Sequence, residues 1–340
     1  MHTLVFMKFT RLMTVISVVM LLLVCGGTAQ IEDDDWGTAT ETSVIRRKRP
    51  RFFRRPARET AAEQLAYAQT LEADGRLRAA RRAYNALVHT WHDTREAAKA
   101  QMAYARLLKE AGRYNRAFDQ FQYMIEHYPG EYGFVETLEY QFTLAEKIMN
   151  RRYMSWLFLP GYNAPERALP LLETITGNAP RWERTDEAYF MIGRIHENRK
   201  RYADAIAAYD VVQRRFPRGP FALEASFRRV DNLRRLALKY PRDEQLVRNA
   251  LSACAGFLAG PGRQSEYRAT VQGYLDELKA MLAGMHYERA VYYDRIARRP
   301  DSALLAYRDY IKRFPDGGDA ANVRERIDEL DAKVELPGDE

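Results

Sequence analysis

Residues Asp186–Pro217 read DEAYFMIGRIHENRKRYADAIAAYDVVQRRFP, and the spacing inside this stretch decides the fold. With Asp186 as place one, small residues stand at places eight and twenty (Gly193, Ala205), an aromatic at twenty-four (Tyr209) and a proline at thirty-two (Pro217). Small residues at two such points let antiparallel helices approach closely, and the aromatic fills the space beside their crossing. Proline lacks an N–H and stops the second helix. The unit predicted is a helix-turn-helix repeat of about 34 residues.

The same spacing recurs along the chain. Ala98–Pro129 carries Ala105, Gly112, Tyr114, Ala117, Phe121 and Pro129. Ala61–His92 carries Ala68, Gly75, Ala80 and Tyr84, with Trp91 and His92 where the closing proline stands elsewhere. Gly284–Pro315 carries Tyr287, Ala303, Tyr307 and Pro315, with Pro300 at its turn. In a further copy, closed by Pro180, Ala145 and Ala168 lie 23 residues apart instead of 12, so an eleven-residue insertion is expected around Asn150–Ala164. Between Phe221 and Ala283 the pattern blurs, leaving two apolar-periodic helices over Ala222–Tyr240 and Leu246–Leu258. Gly and Pro fall at turns, and no stretch alternates as a strand. The prediction is an all-α solenoid of about five repeats over residues 60–333, followed by a short tail at 334–340. Solenoids of this kind usually bind other chains.

With 340 residues and 46% hydrophobic content, the chain can bury a sizeable core. Leu12–Val24 is an apolar run behind Lys8 and Arg11, too short for a membrane span, and it reads as a secretory signal within residues 1–29. Two processing routes compete. Gly27-Thr28-Ala29 fits cleavage before Gln30, whereas Leu22-Leu23-Val24-Cys25 resembles a lipoprotein box that would place a lipid on Cys25, with Val24 an unusual neighbour for that cysteine. Without Cys25 the chain keeps one thiol, Cys254, whose setting LSACAGFLAG reads as a small buried core position. Residues 30–59 read as a disordered linker, acidic over Glu32–Asp35 and basic over Arg46–Arg58 (RRKRPRFFRRPAR). The basic part is either a solvated linker or a contact for anionic membrane or glycan, with Phe52 and Phe53 interleaved among the arginines. Export argues against a nucleic-acid partner. The net charge of +7 mostly restates this segment.

No catalytic constellation stands out. His89 and His92 lie three apart, but no third ligand of recognisable metal-site spacing joins them. Nothing resembles a phosphate-cradling loop, a nucleophile elbow or a Cys–His pair. The reading is a non-enzyme without cofactor or metal.

In a stack of such hairpins the first helix of each repeat lines the inner wall, with places two, five, nine and twelve facing the groove. These are Lys99, Met102, Arg106 and Lys109 in the second repeat, and Glu187, Phe190, Arg194 and Glu197 in the fourth. Mixed apolar and cationic positions suit an extended peptide carrying aromatic side chains or a terminal carboxylate; the alternative is a solvated helix face. The Lys and Asn positions of the chaperone-binding carboxylate clamp are not reproduced. The insertion RRYMSWLFLPGYNAP, Arg151–Pro165, is a second candidate. Its Tyr153, Trp156, Phe158 and Tyr162 either fold back onto the solenoid or present a partner surface.

The export signal, the repeats and the carboxy-terminal run LAGMHYERAVYYDRIARRPDSALLAYRDYIKRFPDG together resemble the BamD-like family of tetratricopeptide (TPR) lipoproteins of the outer-membrane β-barrel assembly machine. GPGRQSEY from Gly260, a long helix and then HYERAVYY carry most of the residue-level likeness. The resemblance implies a scaffold on the periplasmic face of the outer membrane whose partners are assembly subunits and unfolded barrel precursors. It would place Lys99, Met102 and Arg106 in a precursor-binding groove and Tyr287, Tyr292 and Tyr293 near a subunit contact. The alternative is a soluble periplasmic adaptor of a peptidoglycan or secretion complex.

Overall fold

The computed structural model describes residues 55–153 and 162–334. Within them, six helical hairpins follow one another: α1 (Ala61–Ala73) with α2 (Leu77–Thr90), α3 (Arg95–Glu110) with α4 (Tyr114–His127), α5 (Phe134–Met149) with α6 (Leu169–Asn178), α7 (Thr185–Asn198) with α8 (Tyr202–Arg215), α9 (Ala222–Lys239) with α10 (Glu244–Ala259), and α11 (Arg268–Val291) with α12 (Pro300–Arg313). A last helix, α13 (Ala320–Val334), closes the described chain. Each helix packs on the one before it and the one after it. This is the all-α solenoid expected, with one hairpin more than the sequence count because residues 222–259 form a complete unit.

The packing follows the places read from the sequence. Ala68, Ala105 and Ala145 at place eight, and Ala80, Ala117, Ala168, Ala205 and Ala303 at place twenty, are all fully buried. Beside them Tyr84, Phe121, Tyr209 and Tyr307 fill the crossings. At Gly193 the approach is so close that a Cβ would stand 2.5 Å from Cε1 of Tyr209, inside van der Waals contact. A third regularity lies at place four, where a buried glutamine ties helices together. Gln64 donates to the Ala83 carbonyl (3.0 Å), Gln101 to the Gln120 carbonyl (3.0 Å) and Gln141 to Oε1 of Gln122 (2.9 Å). Each buried amide nitrogen thereby finds an acceptor on a neighbouring helix.

The turns inside the hairpins share one backbone device. Place fifteen adopts the left-handed conformation in four of them: Gly75 (φ 72°), Gly112 (φ 71°), Lys200 (φ 57°) and Arg298 (φ 49°). Glycine enters this region without a steric cost, and a residue with a Cβ does not. α11 ends differently, in a π turn over Tyr292–Ile296 in which the Ala297 N–H reaches the Tyr292 carbonyl (2.9 Å). The insertion contains the one departure from the all-helical expectation among the described residues. Its ends pair as two-residue antiparallel strands, β1 (Arg152–Tyr153) with β2 (Tyr162–Asn163), which bring the interrupted hairpin back to its second helix and satisfy backbone groups that no helix accommodates. No described helix is long and apolar enough to cross a membrane.

The fifth hairpin escaped the sequence ruler for a physical reason. Its first helix runs 18 residues instead of the 14 of α7, and Ala250 and Cys254 occupy the buried crossing where other hairpins place alanine and an aromatic. The missing ring volume comes from elsewhere, through Phe227 stacked on Tyr267 (4.2 Å) and tilted against Phe257 (6.5 Å).

Candidate functional site

The last turns of the first helices are joined from hairpin to hairpin by polar contacts. Glu72 on α1 accepts a hydrogen bond from the Tyr84 hydroxyl (2.6 Å) and faces Arg106 on α3 (3.5 Å). One turn on, Lys109 sets its ammonium 4.3 Å from the ring centre of Tyr140 on α5, and that ring stacks on Phe121 (5.0 Å). Partial burial and the neighbouring Lys147 both lower the Lys109 pKa. Arg184, just before α7, lies 3.8 Å over the Phe142 ring and pairs with Glu139 (3.0 Å), Glu146 (3.7 Å) and Glu187 (2.8 Å). Burial raises the Glu146 pKa even with Arg184 beside it.

The fourth hairpin repeats the pattern of the first more tightly. Glu197, 9% exposed, accepts from the Tyr209 hydroxyl (2.9 Å) and from Asn232 (3.2 Å) and Arg228 (3.3 Å) of α9. Burial, followed by the Glu197 charge, pushes the Tyr209 phenol well above its ordinary range. In the sixth hairpin Asp294 accepts from Tyr307 (3.2 Å) and takes a two-pronged contact from Arg326 of α13 (2.8 Å each). An acid, a tyrosine from the same hairpin and an arginine from the next element thus form a staple at three junctions.

Within this frame the predicted groove residues separate. Lys99, Arg106 and Arg194 are exposed, and Met102 and Lys109 are half-buried, Met102 against the core. Phe190 is a correction. It is 4% exposed, tilted on Tyr209 (5.7 Å) and stacked on Phe221 (5.1 Å), so place five of this hairpin turns inward to the crossing and offers no ring to a ligand. Glu197 is likewise committed to its staple. Beside Lys109 an open cleft of about 630 Å³ is lined by Gly112, Tyr114, Thr143, Glu146, Lys147, Asn150 and Arg151. The Lys147 ammonium (5.6 Å) and the Arg151 guanidinium (5.9 Å) both approach the Tyr114 ring. The face brings ammonium, guanidinium and ring surfaces together. Ammonium and guanidinium groups pair with carboxylates and stack on aromatic rings.

The other candidates fall apart or outside the described residues. Tyr162 is 49% exposed in β2, and Tyr153 lies in β1. Trp156, Phe158, Cys25 and the basic segment through Arg54 lie outside the described residues; Arg58 sits 5.0 Å over the Tyr67 ring. Cys254 is fully buried, and that burial pushes its thiol up to about 11, which leaves little thiolate at neutral pH. His92 stands beyond the end of α2, beside Asp93 (3.2 Å), and among the described residues no group of three or more His, Cys, Asp or Glu is placed to hold a metal. The staples and the place-four glutamines were missed in the sequence because their partners come from other elements. An acid at place eleven or twelve with a tyrosine twelve or thirteen residues later was the signal available.

Residues 65–132 and 163–220 match the tetratricopeptide repeat family model. No curated protein matches the sequence. Among solved structures, a tetratricopeptide repeat protein from Parabacteroides merdae is 13% identical over 79% of this chain and 98% of its own, with a TM-score of 0.30. The C-terminal part of a TPR repeat-containing protein from Cytophaga hutchinsonii is 13% identical over 76% of this chain and 98% of its own, with a TM-score of 0.23. The two matched segments span the first two hairpins and the stretch from the end of the insertion through α8, so in these segments the repeats read from the sequence match the tetratricopeptide pattern, within an all-α solenoid.

Proposed function

We propose that this chain is a non-catalytic scaffold of the bacterial cell envelope that grips polypeptide segments during assembly of outer-membrane β-barrel proteins. Tetratricopeptide repeats mediate contacts between proteins, and the observation that carries the reading is the ladder along α3 and α5. There Lys99 and Arg106 are exposed and the Lys109 ammonium rests on Tyr140. Cations spaced along a helix face with rings between them suit an extended chain bearing aromatic and acidic groups. The envelope setting rests on the apolar run before Cys25 and on the likeness of residues 260–317 to the outer-membrane assembly lipoproteins.

Affinity capture from envelope extracts tests the reading: recovery of a barrel-assembly receptor is expected, and recovery of a different complex in its place overturns it. The groove has its own test. Replacing Arg106 and Arg194 together by Gln should weaken binding of a barrel-precursor peptide by about tenfold, or about 1.4 kcal/mol. Unchanged affinity in calorimetry removes the groove assignment. Val24 before Cys25 favours a second reading, a soluble periplasmic adaptor, and the mass of the mature amino terminus separates an acylated Cys25 from a free Gln30.

A further inference from the structure

The turns joining the two helices of each hairpin lie along one edge of the stack, because short connections make successive helices antiparallel. Contacts between hairpins trace that edge. Arg151 after α5 reaches Tyr114 of the second turn, Arg199 of the fourth turn pairs with Glu166 before α6 (3.4 Å), and Arg289 near the end of α11 pairs with Glu244 at the start of α10 (2.7 Å).

This edge breaks a local rule, and it does so repeatedly. The residue after the left-handed position is arginine in four hairpins, Arg76, Arg113, Arg201 and Arg299, and all four are exposed. Each is the N-cap of the following helix and none makes a side-chain capping bond. N-caps favour Ser, Thr, Asp or Asn, and the positive end of the helix dipole disfavours a cation. A disfavoured cap kept at Arg76, Arg201 and Arg299 is the mark of residues that serve something outside the fold. On the opposite edge Thr60 and Thr94 cap α1 and α3, Arg184 stands before α7 without a capping bond, and Asp93, Glu131, Asp316 and Asp319 lie in the loops.

Large apolar side chains accompany the arginines on the same edge: Leu77 is 44% exposed, Tyr240 50%, Tyr292 51% and Ile296 71%. The last two stand on the π turn. Guanidinium groups interleaved with tyrosine and aliphatic side chains match a phosphate-rich headgroup layer over an acyl boundary. We propose that the edge of hairpin turns docks on an anionic membrane surface, its arginines on lipid phosphates and Leu77, Tyr240 and Ile296 in the boundary beneath. Its arginines are none of the predicted groove residues Lys99, Arg106, Lys109 and Arg194.

Flotation of the full chain with phosphatidylcholine vesicles, with and without phosphatidylglycerol, tests the proposal. Binding is expected only to the phosphatidylglycerol vesicles. Arg76→Gln, Arg201→Gln and Arg299→Gln together should lower that affinity at least about tenfold, since each basic group near an anionic surface contributes comparably. A second variant, Leu77→Ser with Tyr240→Ser and Ile296→Ser, should also bind more weakly with all charges intact. Far-UV circular dichroism should be unchanged in both variants, and the arginine variant should keep the peptide affinity of the parent, which separates this surface from the groove. The proposal is overturned if both folded variants float like the parent. It is equally overturned if the parent ignores phosphatidylglycerol vesicles, or binds a single-stranded oligonucleotide through these arginines in their place.

Discussion

Lys200 and Arg298 hold the backbone conformation that glycine holds at the same place in the first two hairpins, with φ of 57° and 49° against 72° and 71°. For a residue with a Cβ this region costs about 1–2 kcal/mol, partly offset by the lower unfolded-state entropy relative to glycine. Lys200→Gly and Arg298→Gly should therefore each raise the unfolding free energy by about 0.5–1 kcal/mol, and Gly112→Ala should lower it by about 1 kcal/mol. Urea unfolding checks this, and a Lys200→Gly protein weaker than its parent would contradict the account of the turn. At this scale the sequence was legible wherever a residue's own chemistry signals its geometry. Gly75 and Gly112 read directly as turns. Lys200 shares their geometry but nothing in a lysine announces it; only its count from Gly193 does. Phe190 failed in the opposite way, since its ruler place pointed to the groove whereas the rings of Tyr209 and Phe221 gave it a better-packed partner inside.

Between elements, the staples join consecutive units through a carboxylate that belongs to neither interface alone. Glu197 takes hydrogen bonds from α8 and α9 at once and is 9% exposed; Glu72 receives one close bond and a looser arginine, with its side chain 29% exposed. Removing the better-buried acceptor leaves Tyr209 and Asn232 without it, although Arg228 keeps Glu224 (2.8 Å). Glu197→Ala should cost about 3 kcal/mol and Glu72→Ala about 1 kcal/mol in denaturant unfolding. Equal losses would show that burial does not set the strength of these junctions. The sequence made half of each staple visible, the acid and the tyrosine twelve or thirteen residues later. Its arginine lies in the next element and becomes a partner only once the hairpins stack. The same dependence on neighbours hid the fifth hairpin, whose rings come from α9 and from the approach to α11 instead of from place twenty-four.

Among the described residues, carboxylates are tuned in opposite senses in the third hairpin and in the last two. Glu244 is held down to about 2, first by Arg248 and then by Arg289, while Asp294 beside Arg326 and Asp309 beside Arg313 are held below the ordinary carboxylate range. All three lie in the last two hairpins. Glu146 in the third is raised by burial instead. A carboxylate whose folded pKa is depressed contributes stability that is present above its unfolded value near 4.5 and lost as pH falls toward the folded value. A raised one changes in the reverse direction, its penalty easing as protons bind. Acid should therefore loosen α10–α13 while leaving α3–α5 nearly unaffected. Because each hairpin touches only its neighbours, the loosening need not spread along the stack. Amide hydrogen exchange near pH 3, compared with pH 6 after correction for intrinsic rates, should show protection falling first in α10–α13. Glu244→Gln should be less stable than the parent at neutral pH and should flatten the stability profile between about pH 4.5 and 2, since it removes the group that titrates there. A uniform loss of protection over all helices, or a Glu244→Gln protein with the parent's acid slope, would mean that the pairing of Glu244 with Arg248 and Arg289 does not govern how the carboxy-terminal hairpins respond to acid.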